Sequence, residues 1–147
     1  MINAKVVIME KEIKEIVNRE TSAWNSQNVP LLLSIFHPDM VWVWPKNADS
    51  HNPVDWETPQ GKYDMERWTK VYQNMFLAFT LEHNKRKIVS ITVTNEQDGG
   101  FAVVDIDTLW KNRQTGEIMH WLGRTCKTYV KTQNSVKMIA QTGVLSY

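Results

Sequence analysis

The spacing of apolar residues changes once along this chain, near Thr80. Ahead of that point, Met9, Ile13, Ile16, Val17, Ala23 and Trp24 recur at helical intervals beside a charged face of Glu10, Lys11, Glu12, Lys14 and Glu15. Beyond it the period falls to two, in stretches near 81–94, 101–112, 117–131 and 136–146. The turns between them are Asp98-Gly99-Gly100, Gln114-Thr115-Gly116 and Gln133-Asn134-Ser135. Helices first and hairpin-linked strands afterwards exclude an alternating parallel α/β design and predict an α+β fold.

The helical half divides further. The first helix should stop at Asn25-Ser26-Gln27-Asn28, residues that compete for backbone hydrogen bonds and favour caps. A short second helix starts at Pro30, is buried by Leu31, Leu32, Leu33, Ile35 and Phe36, and is expected to be closed by Pro38. Met40 to Trp44 reads as a strand ended by Pro45. Pro45 to Tyr63 reads as a long loop, in which His51 and Trp56 could contribute to a lid. A third helix begins near Asp64 with the stripe Met65, Trp68, Val71, Tyr72, Met75, Phe76 and Phe79.

At 147 residues the chain is expected to form one domain, 1–147, with enough apolar surface to fold without disulfides or metal. Seventeen basic against sixteen acidic residues leave a formal charge of +1, which removes the electrostatic case for nucleic acid or an anionic membrane as partner. Cys126 is alone, so intrachain disulfides and cysteine zinc sites are excluded, and an inert buried thiol is expected. His37, His51, His83 and His120 show no helical ligand spacing, so no metal is expected. A glycine-rich phosphate loop and a nucleophile elbow are both lacking, so no cofactor is expected. The N-terminal apolar run is too short for a signal peptide, which makes the cytoplasm the expected compartment. Seven tryptophans permit an aromatic-lined pocket.

Four stretches carry a family resemblance that spans nearly the whole chain. They are Ala23-Trp24-Asn25-Ser26-Gln27-Asn28, Phe36-His37-Pro38-Asp39-Met40-Val41-Trp42, Gly61 ahead of helix three, and Gly123-Arg124-Thr125-Cys126-Lys127-Thr128-Tyr129. In order and spacing the chain resembles the nuclear-transport-factor-2-like superfamily, SnoaL-like branch, and is also similar to the association domain of calmodulin-dependent kinase II. The resemblance implies a cone-shaped cystatin-like fold. Three N-terminal helices would pack on a curved, mostly antiparallel sheet around a pocket, and a homodimer would form through the outer sheet face. The superfamily includes isomerases, cyclases, dehydratases and epoxide hydrolases as well as scaffolds, so the residues must decide function.

Steroid isomerases of the superfamily place an aspartate base before the proline ending the first strand, and a tyrosine donor midway along helix one. The counterparts here are Trp44 and Glu20, and indole cannot shuttle a proton, so that activity is excluded. Glu20 lies on the apolar stripe of helix one, where a carboxylate must be paired or protonated. Arg124 shares a strand face with His120, Leu122, Cys126 and Thr128, and alternation leaves open whether that face is inside. Asp105 and Asp107 oppose the better core face of Ala102, Val104, Ile106, Thr108 and Trp110, and so read as outer-face residues.

The expected site therefore has Trp42, Trp44, Tyr72 and Trp110 as an aromatic wall, with Glu20 paired to Arg124 as its polar floor. Glu20 or His120 would be the acid–base group for a small hydrophobic or aromatic carbonyl compound. Glu20→Gln is then expected to leave folding nearly intact and to alter ligand handling. The alternative is a ligand-binding or oligomerisation domain without turnover. The two are told apart by whether a titratable group projects into a closed apolar cavity; a cavity lined only by Trp, Met and Thr favours the alternative.

Overall fold

A computed structural model describes residues 4–46 and 52–144. In chain order the elements are α1 (Ala4–Ser26), α2 (Val29–Leu33), β1 (Phe36–Pro45), a 3-10 turn (Pro53–Asp55), β2 (Trp56–Glu57), α3 (Met65–Ala78), β3 (Phe79–Val93), β4 (Gly99–Asn112), β5 (Ile118–Lys131) and β6 (Val136–Thr142). The strands form one open sheet in the order β2-β1-β6-β5-β4-β3. All pairings are antiparallel except β1 with β6. This is the expected α+β layout of three helices against a mostly antiparallel sheet. Among the described residues, no helix is long and apolar enough to cross a membrane.

Local chemistry sets the helix ends. Asn28 caps α2, its side chain accepting from the Leu31 amide at 3.0 Å. Asp64 does the same for α3, accepting from the Arg67 amide at 2.8 Å. Pro38 does not close α2 as expected. That helix ends at Leu33, and Pro38 lies inside β1 where pairing with β6 is interrupted between Phe36 and Val41. A residue without an N–H costs the ladder nothing at such a break. The expected loop after Pro45 also contains structure: Trp44 and Pro45 pair with Glu57 and Trp56 at the sheet edge. Trp56 is thus a β2 residue, while His51 falls outside the described residues.

The core lies between the helices and the inner sheet face. Met9, Ile13, Ile16, Val17, Ala23 and Trp24 of α1 are buried against Ala102, Val104, Ile106 and Trp110 of β4, the face expected from the alternation. Gly99 and Gly100, expected in a turn, belong to β4. A Cβ on Gly100 would stand 2.3 Å from the Thr92 carbonyl oxygen and 2.9 Å from Cδ1 of Ile13, so the bare backbone admits the close approach of α1. Asp105 and Asp107 lie on the outer face, as expected.

Candidate functional site

A cavity of about 300 Å³ opens between β1, α3 and β5. Trp42 and Trp44 of β1 form one wall, Val71, Tyr72 and Met75 of α3 another, and Met119 and Trp121 of β5 a third; Trp24, Phe79, Pro59 and Gln60 complete the lining. Period two along β1 puts Trp42 and Trp44 on one side, with ring centroids 5.8 Å apart. Trp24 is the hub beneath, edge-to-face with Tyr72 at 5.6 Å, Trp110 at 6.0 Å and Trp121 at 5.5 Å. Such pairs each add about 0.5–1.5 kcal/mol beyond their burial, so the aromatic floor is rigid.

Three of the four expected wall residues therefore line the cavity. Trp110 does not: it is fully buried one layer deeper, stacked on Phe76 at 6.0 Å. Trp24, Trp121 and Gln60 were not anticipated as lining. Gln60 is set in place by α3, since Arg67 Nε and Trp68 Nε1 each donate to its carbonyl oxygen at 3.1 Å. The turn before α3 closes through the Gly61 amide on the Thr58 carbonyl at 2.9 Å, with Gly61 at φ +63°, a conformation that glycine adopts without strain.

The polar equipment of the cavity is neutral. Trp42 Nε1, the Tyr72 hydroxyl and Gln60 Oε1 are buried atoms that make no close hydrogen bond in the protein, and the Tyr72 hydroxyl interacts with the Gln60 side chain. Burial, reinforced by the Glu20 charge, pushes the Tyr72 phenol well above its ordinary pKa, which keeps it a proton-bearing donor. Among the described residues, no carboxylate, imidazole, thiol, amine or guanidinium lines the cavity.

Glu20 is buried, as its place on the stripe implied, but its partners differ from the expected one. Lys127 Nζ donates to Glu20 Oε1 at 2.9 Å, Arg86 Nη1 at 3.2 Å and Trp24 Nε1 at 3.3 Å. Lys127 also donates to Gln141 Oε1 at 2.7 Å. Burial alone would raise the Glu20 pKa; the charges of Lys127 and Arg86 and the hydrogen bonds from Lys127 and Trp24 outweigh it and hold the carboxyl ionised, below its ordinary value. A carboxylate so restrained is a poor proton shuttle, and its bond to Trp24 makes it a support for the cavity floor.

Arg124 is not part of this cluster. Its guanidinium lies on the outer face and binds Asp105 through Nε at 2.7 Å and Nη2 at 3.1 Å, across the Asp105–Arg124 pair of the ladder. His120 shares that face, with Nε2 2.7 Å from Asp107 Oδ1, and so stands outside the cavity as well. The fork from Arg124 is the main reason that the Asp105 carboxyl is held below its ordinary pKa. Cys126 is half-buried, and burial pushes its thiol up, in keeping with an inert group.

No protein-family model matches this chain, and no curated protein matches it in sequence. Solved structures match it closely in fold. A ketosteroid isomerase-like protein from Erwinia carotovora atroseptica superposes with a TM-score of 0.69 at 14% identity, covering 95% of each chain. A nuclear transport factor 2-like superfamily protein from Salmonella enterica serovar Typhimurium gives 0.69 at 16% identity, over 96% of this chain and 93% of that one. A domain with a cystatin-like fold from Nostoc punctiforme gives 0.66 at 10% identity, over 94% of this chain and 77% of that one. The chain thus has the cone fold of the nuclear-transport-factor-2-like superfamily, as its sequence resemblance implied.

Proposed function

We propose that this protein binds a small, planar, hydrophobic molecule in the aromatic cavity and holds it without acid–base chemistry. The observation that carries the reading is the pairing of stacking walls with three neutral polar atoms that make no close hydrogen bond: Trp42 Nε1, and the Tyr72 hydroxyl and Gln60 Oε1, which face each other. Buried polar groups without partners cost free energy, and a ligand that meets them recovers it. Two of the three are donors, so the ligand carries a carbonyl, ether or phenolate oxygen; Gln60 Oε1 takes one hydroxyl or amide hydrogen. A volume of about 300 Å³ suits one or two fused rings.

The alternative of an isomerase, cyclase or hydratase needs a group that exchanges a proton at the substrate. Glu20 is tied to Lys127 and Arg86, and His120 lies on the opposite side of the sheet. Neither is available, and the Tyr72 phenol in the cavity wall is pushed towards keeping its proton, which suits a hydrogen-bond donor better than a base, so binding is the better-supported reading.

Tryptophan fluorescence reports directly on this cavity, because four indoles line it. A panel of one- and two-ring aromatic carbonyl compounds and phenols is titrated against the protein, and each binder is then recovered and analysed by mass spectrometry. We expect saturable quenching that Trp44→Ala weakens at least tenfold, roughly the loss of one stacking contact, with the compound recovered unchanged. Quenching that Trp44→Ala leaves intact would overturn the site, and chemically altered ligand would overturn the non-catalytic reading.

A further inference from the structure

Side chains from three strands converge on one point of the outer sheet face, on the opposite side of the sheet from the cavity. His83 projects from β3, Asp107 from β4 and His120 from β5. Nε2 of His83 and Nε2 of His120 each lie 2.7 Å from the same oxygen, Oδ1 of Asp107. The three atoms all fall within 4.8 Å of one another, and the two imidazole planes stand at 88°. The ladder sets this arrangement: His83 and His120 both pair with Leu109, so they flank β4 from either side, and Asp107 is the next outward residue on that strand. Lys85 stands directly across from Asp107, yet the Oδ1 atom of the carboxylate is directed at the two imidazoles.

We propose that His83, Asp107 and His120 bind one divalent transition-metal ion of the zinc class, with water completing its coordination.

Two imidazoles and one carboxylate oxygen are the donor set that zinc, nickel, cobalt and copper favour, and magnesium and calcium do not. A carboxylate only accepts, so both short contacts are hydrogen bonds only when each Nε2 carries a proton. The metal takes the position of those two protons: in each neutral ring the single proton moves from Nε2 to Nδ1, and the freed Nε2 lone pairs and Oδ1 point at the ion. Tetrahedral metal–ligand distances of about 2.0–2.2 Å put ligand atoms about 3.3–3.6 Å apart, so the two 2.7 Å contacts need to spread by somewhat under an ångström, within reach of side-chain rotation. Donors on paired strands are held in place before the ion arrives, which favours tight binding. In the single chain the side chains are partly exposed, and a shallow outer groove of about 590 Å³ shares Asp107, so an ion and its waters can enter.

The test uses the full chain with Co²⁺, Ni²⁺ and Zn²⁺ as probes. Calorimetry should give one ion per chain, and Co²⁺ should develop the visible absorption of a mixed nitrogen–oxygen site. His83→Ala and His120→Ala should each weaken binding at least about tenfold, while His37→Ala leaves it unchanged. Paramagnetic Cu²⁺ adds a reading that needs no variant: it should broaden the imidazole resonances of His83 and His120 ahead of that of His37. Substoichiometric binding, equal affinity in the two alanine variants and the parent, or uniform broadening of all histidines would overturn the proposal.

Discussion

Lys127 Nζ and Glu20 Oε1 meet at 2.9 Å with both side chains almost wholly shielded from water. Arg86 joins them, so two buried cations share one carboxylate as their counter-ion. On the binding reading proposed above, Glu20 has a structural role in place of the expected acid–base one, and the consequence of removing its charge reverses. Glu20→Gln leaves Lys127 and Arg86 facing each other without a counter-ion. Breaking a buried pair in this way costs about 3–5 kcal/mol. We therefore expect the variant to lose on the order of 10 °C in Tm by calorimetry, against the sequence-based expectation of near-intact folding. A Tm within 2 °C of the parent, roughly 1 kcal/mol or less, would mean that the cluster is not load-sharing in solution.

The same carboxylate sets an acid limit. Glu20 titrates below its ordinary value of 4.5 in the folded protein, because Lys127 and Arg86 overcome the effect of burial. Between the two values the unfolded chain binds more protons than the folded one, so stability rises with pH there. The contribution is fully present above the ordinary value of 4.5 and is lost as pH falls through the lower folded value. Urea melts across the acid range should show a falling midpoint below that value, and the slope should flatten in Glu20→Gln. An unchanged acid slope in the variant would assign the titration to other carboxylates, with Asp105 and Asp107 the first to examine.

How much of this was legible depends on which signal each residue carries. The layout was readable because the change of period at Thr80 and the caps at Asn28 and Asp64 are local. The β4–β5 hairpin was readable too, and it held more than was drawn from it. Once Trp110 is taken as inward, its pairing with Met119 carries the register along β5 and turns Trp121, Thr125, Lys127 and Tyr129 inward and Arg124 outward. Apolar residues on both faces of β5 hid this: Met119 and Trp121 point in while Ile118 and Leu122 point out. Arg86 was beyond such propagation, since the β3–β4 pairing shifts register twice, between Leu81 and His83 and between Ile88 and Ser90. The His83–Asp107–His120 cluster escaped for a related reason. Helical ligand spacing is a rule within one element, and these donors come from three strands.

Tyr72→Phe tests whether the cavity's donors serve a ligand or the fold. The hydroxyl is buried and makes no close hydrogen bond, only the Gln60 side chain interacting with it, so deleting it costs the fold little and leaves the packed ring in place. Stability should stay within about 1 kcal/mol of the parent. Affinity for an oxygen-bearing ligand should fall about tenfold, since one hydrogen bond is lost. Thermal melts and fluorescence titration on the same sample separate the two effects. A large loss of stability would assign the hydroxyl to the fold.

The outer sheet face is the expected dimer contact, and its composition makes that expectation specific. Phe101, Ile118 and Leu122 leave between 42% and 55% of their surface exposed there, interleaved with the Asp105–Arg124 pair and the histidine cluster. Apolar groups held on a hydrogen-bonded ladder lose little backbone freedom on association, and a two-fold axis through the face would set each patch against its copy. Leu122 lies near the middle, across the ladder from Asp107. Light scattering at micromolar concentration should give twice the mass of the chain, and Leu122→Glu should return it to the monomer by setting like charges against each other across the axis. The substitution is on an exposed side chain, so its own Tm should shift only as far as loss of the partner dictates. A parent that is already monomeric would leave those apolar residues as isolated surface groups and remove the dimer from the description.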